Sequence, residues 1–341
     1  MDYIVYERDE SETSNRSGGS LDLHPETGQY ALRQAGLFDD FQKYASGEGR
    51  DAPEIDRLEL RKILLASIPK DKIKWGHALT GAKLGADGKP VLQFANGVVV
   101  SGFKLAVGTD GAWSKLRALI TPAKPIYVGR SYIESRIQPD NPLYETTVKN
   151  MGRGSNVSIG SKQLVISQKQ GDGSYRFYFG FDVSENAFQD GSIDLHDIEA
   201  TRRLLLSTEH FGDWGEQYKE FIRHATDFRS WPLYSLPKEA MNWKSVPGVT
   251  LAGDAAHLAV PNGEGVNLAM TDSLELAKKV IEYGTEDLDR AVREYETAMF
   301  PRGVDCINEG TMMAEVMFSE DHRAFLQLLN SLISADKGDN S

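Results

Sequence analysis

A chain of 341 residues that is 40% hydrophobic can bury a sizeable core and has the length for two lobes. Its formal net charge of -12 argues against a nucleic-acid surface, which needs clustered Lys and Arg, and no run reaches the roughly eighteen apolar residues of a membrane helix. The single cysteine, Cys306, permits no internal disulfide and fits a reducing compartment, so the cytoplasm is the expected location, while the scattered histidines predict no metal site.

In chain order, DYIVYERD reads as a short strand closed by an acid, with a polar loop running to Gly19. Charged residues follow Ile4 so soon that no secretory signal is expected. ETGQYALRQAGLFDDFQKYA predicts one helix, because Tyr30, Leu32, Ala35, Leu37 and Phe41 form an apolar stripe. DRLELRKILLASI predicts another, with Leu60, Leu64 and Ile68 spaced by four. From Ile73 the pattern changes to short strands, IKWGHALTGAKL, VLQFA and VVVSG, parted by turns at 85–88 and at Asn96-Gly97.

KLAVGTDG predicts a buried strand entering a tight turn. Residues 125–183 are rich in strand signals, and QLVISQ and YRFYFGFDV flank Gly171-Asp172-Gly173 as a hairpin. Helices are expected around 198–208 and 214–226, then a strand at VTLAG, then mostly helix. Pro301 should kink or break the long helix after Asp287, and a polar tail follows Ala335. This order predicts an α/β chain in which residues 1–120 and 236–335 make one lobe around a mainly antiparallel insert at 121–235.

The most informative run is LAGDAAHLAVPNGEGVNLAMTD, Leu251 to Asp272. Gly253 permits a sharp exit from a strand, and Asp254 can accept hydrogen bonds from sugar or ribityl hydroxyls. Gly263 and Gly265 let backbone approach a flat ring, and a helix starting near Asn267 aims its free N–H groups at that loop. Val266, Met270, Leu274, Ala277 and Ile281 would pack that helix down. An ordinary strand-to-helix loop would use the same glycines.

Glu7 ends a strand, where an acid can hold the hydroxyls of an adenosine ribose. Arg16 with Gly18-Gly19 could line a cofactor cleft, and Arg57 and Arg61, one turn apart, could reach a phosphate or lie on a solvated face. Asp110-Gly111 follows a strand, with Arg117 six residues beyond. Cys306 reads as a small buried residue, and His257 as structural before catalytic. Tyr175, Phe177, Tyr178 and Phe179 read as sheet core, with alternate positions able to face a pocket.

Together these pieces resemble the FAD-dependent aromatic-ring hydroxylase superfamily, the group A flavoprotein monooxygenases. VGTDGAWSKLR is similar to the DG turn of that family, and the Leu251–Asp272 run to its GD turn. The likeness is strongest to the tetracycline-inactivating flavin monooxygenases, through VYERD, GGSLDLHPETGQ, LRKILLASI, GDWGEQYKE and GDAAH with GVN. It spans residues 4–318 and is thinner over 120–200.

The resemblance implies a Rossmann-like FAD lobe, an inserted antiparallel substrate lobe and C-terminal helices. It implies Glu7 at the adenosine ribose, Arg8 among the cofactor-binding residues, Arg61 in the cofactor cleft, and Asp110 and Gly111 supporting the lobe and the NADPH encounter. Asp254 falls at the ribityl–phosphate portion, and Pro261, Gly263, Gly265, Val266 and Asn267 at the flavin ring. The implied activity is hydroxylation of an aromatic or polycyclic small molecule with FAD, NADPH and O₂. Flavin C4a carries that chemistry, and no catalytic side chain is implied.

The chain departs from the family at its start. An acid at residue 7 leaves no room for the first strand, the G-x-G-x-x-G loop and its helix, about thirty residues by the usual size of that unit. A shortening is also expected between Lys43 and Asp51, and the GD loop is about one residue short. The lobe is therefore expected to be N-terminally truncated. The alternatives are a degenerate, flavin-free homologue acting as a non-catalytic binding protein, and a flavin-linked reductase.

Overall fold

A computed structural model describes residues 1–14, 19–47, 51–152, 154–321 and 323–328. Arg16 and Gly18, the Glu48–Arg50 stretch and the tail after Ala335 lie outside the described residues. The chain forms two compact units, one from Met1–Ile126 with Tyr234–Gly310, the other from Tyr127–Leu233 with the residues from Thr311 onward. The sequence reading ran the first lobe on to residue 335, whereas the contacts change hands after Gly310.

The chain begins with β1 (Val5–Tyr6), β2 (Ser20–Asp22), α1 (Gly28–Gln34) and α2 (Phe38–Tyr44). The single helix expected over this last stretch is two helices. Gly36 takes φ +73, a left-handed conformation that ends α1 without strain only because the residue lacks a Cβ. Next come β3 (Glu54–Asp56) and α3 (Arg57–Ala66). The Asp56 side chain caps α3 by accepting the Leu58 N–H at 2.7 Å. Its buried positions are Leu60 and Ile63, while Leu64 is exposed, so the face points one position away from the stripe read in the sequence.

Strands β4 (Ile73–Lys74), β5 (Leu79–Leu84), β6 (Pro90–Phe94), β7 (Val99–Val100) and β8 (Ala106–Gly108) follow. β5, β6 and β7 form the expected antiparallel meander, with Gly97 at φ +83 in the Asn-Gly turn. The second unit supplies β9 (Ile126–Ile137), α4 (Tyr144–Met151), β10 (Ser155–Gly160), β11 (Gln163–Lys169) and β12 (Tyr175–Asp182). It continues through α5 (Ile198–Leu205), α6 (Glu216–His224) and β13 (Arg229–Ser235). The chain closes with β14 (Val249–Leu251), α7 (Asp254–His257), α8 (Gly265–Tyr283) and α9 (Leu288–Met317).

Pro301 lies inside α9 and does not end it. Proline removes one helical N–H, the donor to the Thr297 carbonyl four residues back, so its helix survives only where packing holds it. Here the packing of Tyr295, Met299 and Ile307 into the core holds both halves in line.

Two parallel pairs organise the first unit. β1 pairs with β4, and β8 pairs with β14 in the register Ala106↔Val249 to Gly108↔Leu251. Among the described residues, neither β1 nor β8 has a neighbour on its other edge. Val5 and Val107, on those strands, are correspondingly exposed. Over the β8–β14 pair, Leu251, Val249, Ala255, Tyr295 and Met299 build one buried cluster. A smaller one, around Leu23, Leu32, Phe41 and Ile55, fixes α1 and α2.

The second unit is a five-stranded sheet of order β10-β11-β12-β9-β13, antiparallel from β10 through β12 to β9. Tyr175, Phe177, Phe179 and Phe181 point to one face and pack against α5, α6 and the turn between them through Leu205, Phe211, Phe221 and Ile222. Tyr178 alternates to the opposite face.

Candidate functional site

Three acids stand at the carboxyl ends of parallel strands: Glu7 after β1, Asp110 after β8 and Asp254 after β14. In open α/β sheets this is the end at which ligands gather. The turns after β8 and β14 are bound into one body by Arg117. Its Nε donates to the Ala255 carbonyl at 2.8 Å, Nη2 to that of Asp254 at 2.9 Å, and Nη1 to that of Ala112 at 2.8 Å. The side chain is 3% exposed, and burial lowers the pKa of its guanidinium. Asp110 spends a carboxylate oxygen on the Lys115 N–H at 2.7 Å, and Gly111 takes φ +78, so this pair shapes the turn.

From the other side the Gly253-Asp254 turn is held by Asp272 of α8. Its Oδ2 accepts the Gly253 N–H at 3.0 Å and lies 2.6 Å from His257 Nε2, while Oδ1 is 3.3 Å from Arg302 Nη2. Asp272 is fully buried and His257 2% exposed, which makes His257 a structural group. Gly253 itself takes φ +61, and a Cβ there would stand 3.1 Å from the Ala269 Cβ. Neither Asp272 nor the threefold grip of Arg117 was legible in the sequence. Their partners are backbone groups and residues up to 138 positions away.

The Asp254 carboxylate is exposed and makes no hydrogen bond or ion pair among the described residues. Pro261 and Gly263 are exposed just before α8 and Gly265 at its first position, and a Cβ on either glycine would meet nothing within 4 Å. Asn262 braces the loop by accepting the Glu264 N–H at 3.1 Å, and Glu264 lies 3.0 Å from His24 Nδ1. Asn267 is buried. Its amide accepts from the His24 N–H and donates to the Asp22 carbonyl, so it ties α8 to the chain after β2. Val266 packs beside it on the Leu23–Leu32 cluster.

The loop after β1 is braced by side chains of the chain itself. Glu7 Oε1 accepts the Asp9 N–H at 3.0 Å. Arg61 is held 3.0 Å from Asp9 Oδ2 and donates to the Glu12 carbonyl at 2.8 Å, and Arg8 is exposed. Glu7 and Arg61 thus hold a loop of their own chain.

Cys306 is buried against Asn262, and burial pushes its thiol up to about 11. Alkylation by iodoacetamide at pH 8 is therefore expected to be at least about a hundredfold slower in the folded chain than in denaturant, a difference that intact-mass time courses would read.

With this geometry in place, comparison with known proteins is informative. Residues 227–306 match the FAD binding domain family, and that stretch holds β14, the Gly253-Asp254 turn and the loop before α8. The chain is 29% identical to the monooxygenase asqM of Emericella nidulans, over 82% of this chain and 78% of the relative. It is 28% identical to the monooxygenase penA of Penicillium thymicola, over 83% and 81%. Among solved structures, Klebsiella pneumoniae HpxO complexed with FAD and uric acid superposes with a TM-score of 0.74 at 18% identity, over 96% of this chain and 85% of that one. The tetracycline destructase Tet(55) gives 0.73 at 18%, over 96% and 88%.

The residues present fit one end of FAD. The open glycine loop, the α8 N-terminus and the exposed Asp254 suit a flat ring and its ribityl chain. For the pyrophosphate, the described residues contain no strand, glycine loop and helix in succession beside β1 or β8.

Proposed function

Taking as premise that the chain is an FAD-dependent monooxygenase of the aromatic-hydroxylase type, we propose that it holds the flavin at the Gly253-Asp254 turn and the 261–265 loop and hydroxylates an aromatic or polycyclic small molecule, with NADPH as reductant. The observation that carries this reading is the Asp254 carboxylate. It stands exposed and without a partner among the described residues, on a turn that two buried groups, Arg117 and Asp272, hold in place.

FAD supplies the redox and oxygen chemistry when bound. The residues of the chain bind and orient it. Asp254 would accept hydrogen bonds from ribityl hydroxyls, the bare backbone of Gly263 and Gly265 would let a flat ring approach, and the first N–H groups of α8 would favour an electron-rich group there. Asn267 and Glu264 orient the loop through Asp22 and His24. The unit from 127 to 233 acts as the substrate lobe, with the face opposite its aromatic core toward the substrate. Conversion of a small aromatic metabolite in the cytoplasm suits an acidic chain whose one thiol is buried. The relatives asqM and penA support a monooxygenase of this kind.

The test is an absorbance spectrum of the purified chain after incubation with FAD and desalting, beside Asp254→Ala. Retained visible flavin bands are expected for the wild type. For Asp254→Ala, an affinity lower by about ten- to a hundredfold is expected with an unchanged melting temperature, because an exposed, unpaired side chain contributes little to folding. A folded but colourless wild type would overturn the reading. Riboflavin in a parallel titration separates the contribution of the flavin end from that of the adenosine end.

A further inference from the structure

A recess of about 390 Å³ opens in the second unit where the end of α4, the outermost strand β10 and the start of α6 meet. Ser158 of β10 stands opposite Val165, and Val165 opposite Phe179, so Ser158 lies on the aromatic, helix-covered face of the sheet. Tyr218, part of the GDWGEQYKE run, reaches it from α6, and the two hydroxyl oxygens are 2.5 Å apart. Because β10 ends the sheet, no strand among the described residues lies beyond it.

The fold fixes these walls. Asn156 Nδ2 donates to the Met151 carbonyl at 2.7 Å, which ties β10 to the end of α4 and leaves Oδ1 to accept. The Ser167 hydroxyl donates to Met151 Sδ at 3.2 Å and anchors the thioether. The Tyr218 ring meets Trp214 edge-on with centroids 5.3 Å apart, and the Trp214 indole N–H donates to Gln163 at 2.9 Å. The carboxamides of Asn150 and Gln217, by contrast, are exposed and make no hydrogen bond among the described residues.

Among the described residues, no charged side chain lines the recess, and Glu216 beside Gln217 is paired with Lys219 at 3.0 Å and with Arg223. An anion would find no cation there and an ammonium no carboxylate, so either would lose hydration without return. An apolar ligand would cover carboxamides and hydroxyls and leave them unbonded. A sugar hydroxyl both donates and accepts, as carboxamides and the Ser and Tyr hydroxyls do, and the C–H face of a pyranose can lie against Met151 and the Tyr218 ring.

We propose that this recess is a second ligand site and takes a neutral pyranose ring, held by Asn150, Gln217 and the Ser158–Tyr218 hydroxyl pair. It shares no residue with the flavin turn and lies on the other side of the sheet from the face assigned to the substrate. It therefore stands or falls apart from the proposed oxidation.

The experiment is a saturation-transfer NMR titration of the full chain with the methyl pyranosides of glucose and galactose, beside their anionic counterparts glucuronate and galacturonate. At least one neutral pyranoside is expected to bind with a dissociation constant of about a millimolar. Its anionic counterpart should bind about tenfold more weakly or worse, since the carboxylate loses hydration and gains no cation. Gln217→Ala and Asn150→Ala should each weaken the neutral sugar by about three- to tenfold, the worth of one neutral hydrogen bond. Melting temperatures should not change, because both side chains are exposed and unbonded.

No binding of either neutral sugar at about 50 mM would overturn the proposal. So would tighter binding of a uronate than of its neutral counterpart, or an affinity unchanged in both Gln217→Ala and Asn150→Ala. The titration needs neither flavin nor turnover. A colourless chain that binds the sugar sinks the monooxygenase reading alone, and a yellow chain that does not bind it sinks this one alone.

Discussion

Arg117→Met is expected to lose both flavin retention and about 3 kcal/mol or more of folding stability, since three backbone carbonyls lose charged donors in a partly or fully buried place. Methionine fills much of the arginine stem, so the change removes hydrogen bonds more than volume. Ala255 is fully buried, so its carbonyl finds no water when the guanidinium leaves. Because one side chain bridges the turn after β8 and the turn after β14, its removal also frees Asp254 from its fixed position. Urea melts and desalted absorbance spectra, taken together, would check this. Arg117→Lys is informative beside it, because a single ammonium cannot span three carbonyls. If Arg117→Met kept both wild-type stability and wild-type flavin retention, the two turns would not depend on this bridge.

The outlines of the fold were legible where local chemistry decides them. Asn96-Gly97 and Gly171-Asp172-Gly173 announce hairpins because those residues adopt left-handed turns cheaply, and both hairpins form. Where tertiary contacts decide, the sequence misled. Gly36 looked like one residue of a long helix and is its end. Pro301 looked like a kink or an end, and the helix runs through it, its two halves packed into one core.

In the candidate site, the exposure of Asp254 and the bare, open backbone of Gly263 and Gly265 follow from residue type, which a sequence shows directly. Asn267 was readable as part of the same loop, but its amide turns inward to Asp22 and His24 across more than 240 residues of sequence, which no local pattern encodes. The recess beside Ser158 and Tyr218 was equally hidden, because it forms only when α6 packs against β10.

Asp272→Ala should cost about 3–5 kcal/mol, the range for breaking a buried charged network by removing one partner. The carboxylate is fully buried, and three donors converge on it from α7, α9 and the Gly253 backbone. Removing it leaves the His257 ring, 2% exposed, without its 2.6 Å partner, and Arg302 without its acid beside Pro301. Asp272→Asn separates charge from shape. The amide keeps one acceptor but turns an N–H₂ toward a second donor, so an intermediate loss is expected. The effect should reach the cofactor as well, because Gly253 at φ +61 is held in place by this one side-chain bond. Guanidinium melts would rank wild type above Asp272→Asn and Asp272→Ala, with flavin retention following the same order. A ranking in which stability falls and flavin retention does not would detach the turn from the cofactor. In that case the exposed Asp254, and not the geometry beneath it, would set flavin affinity.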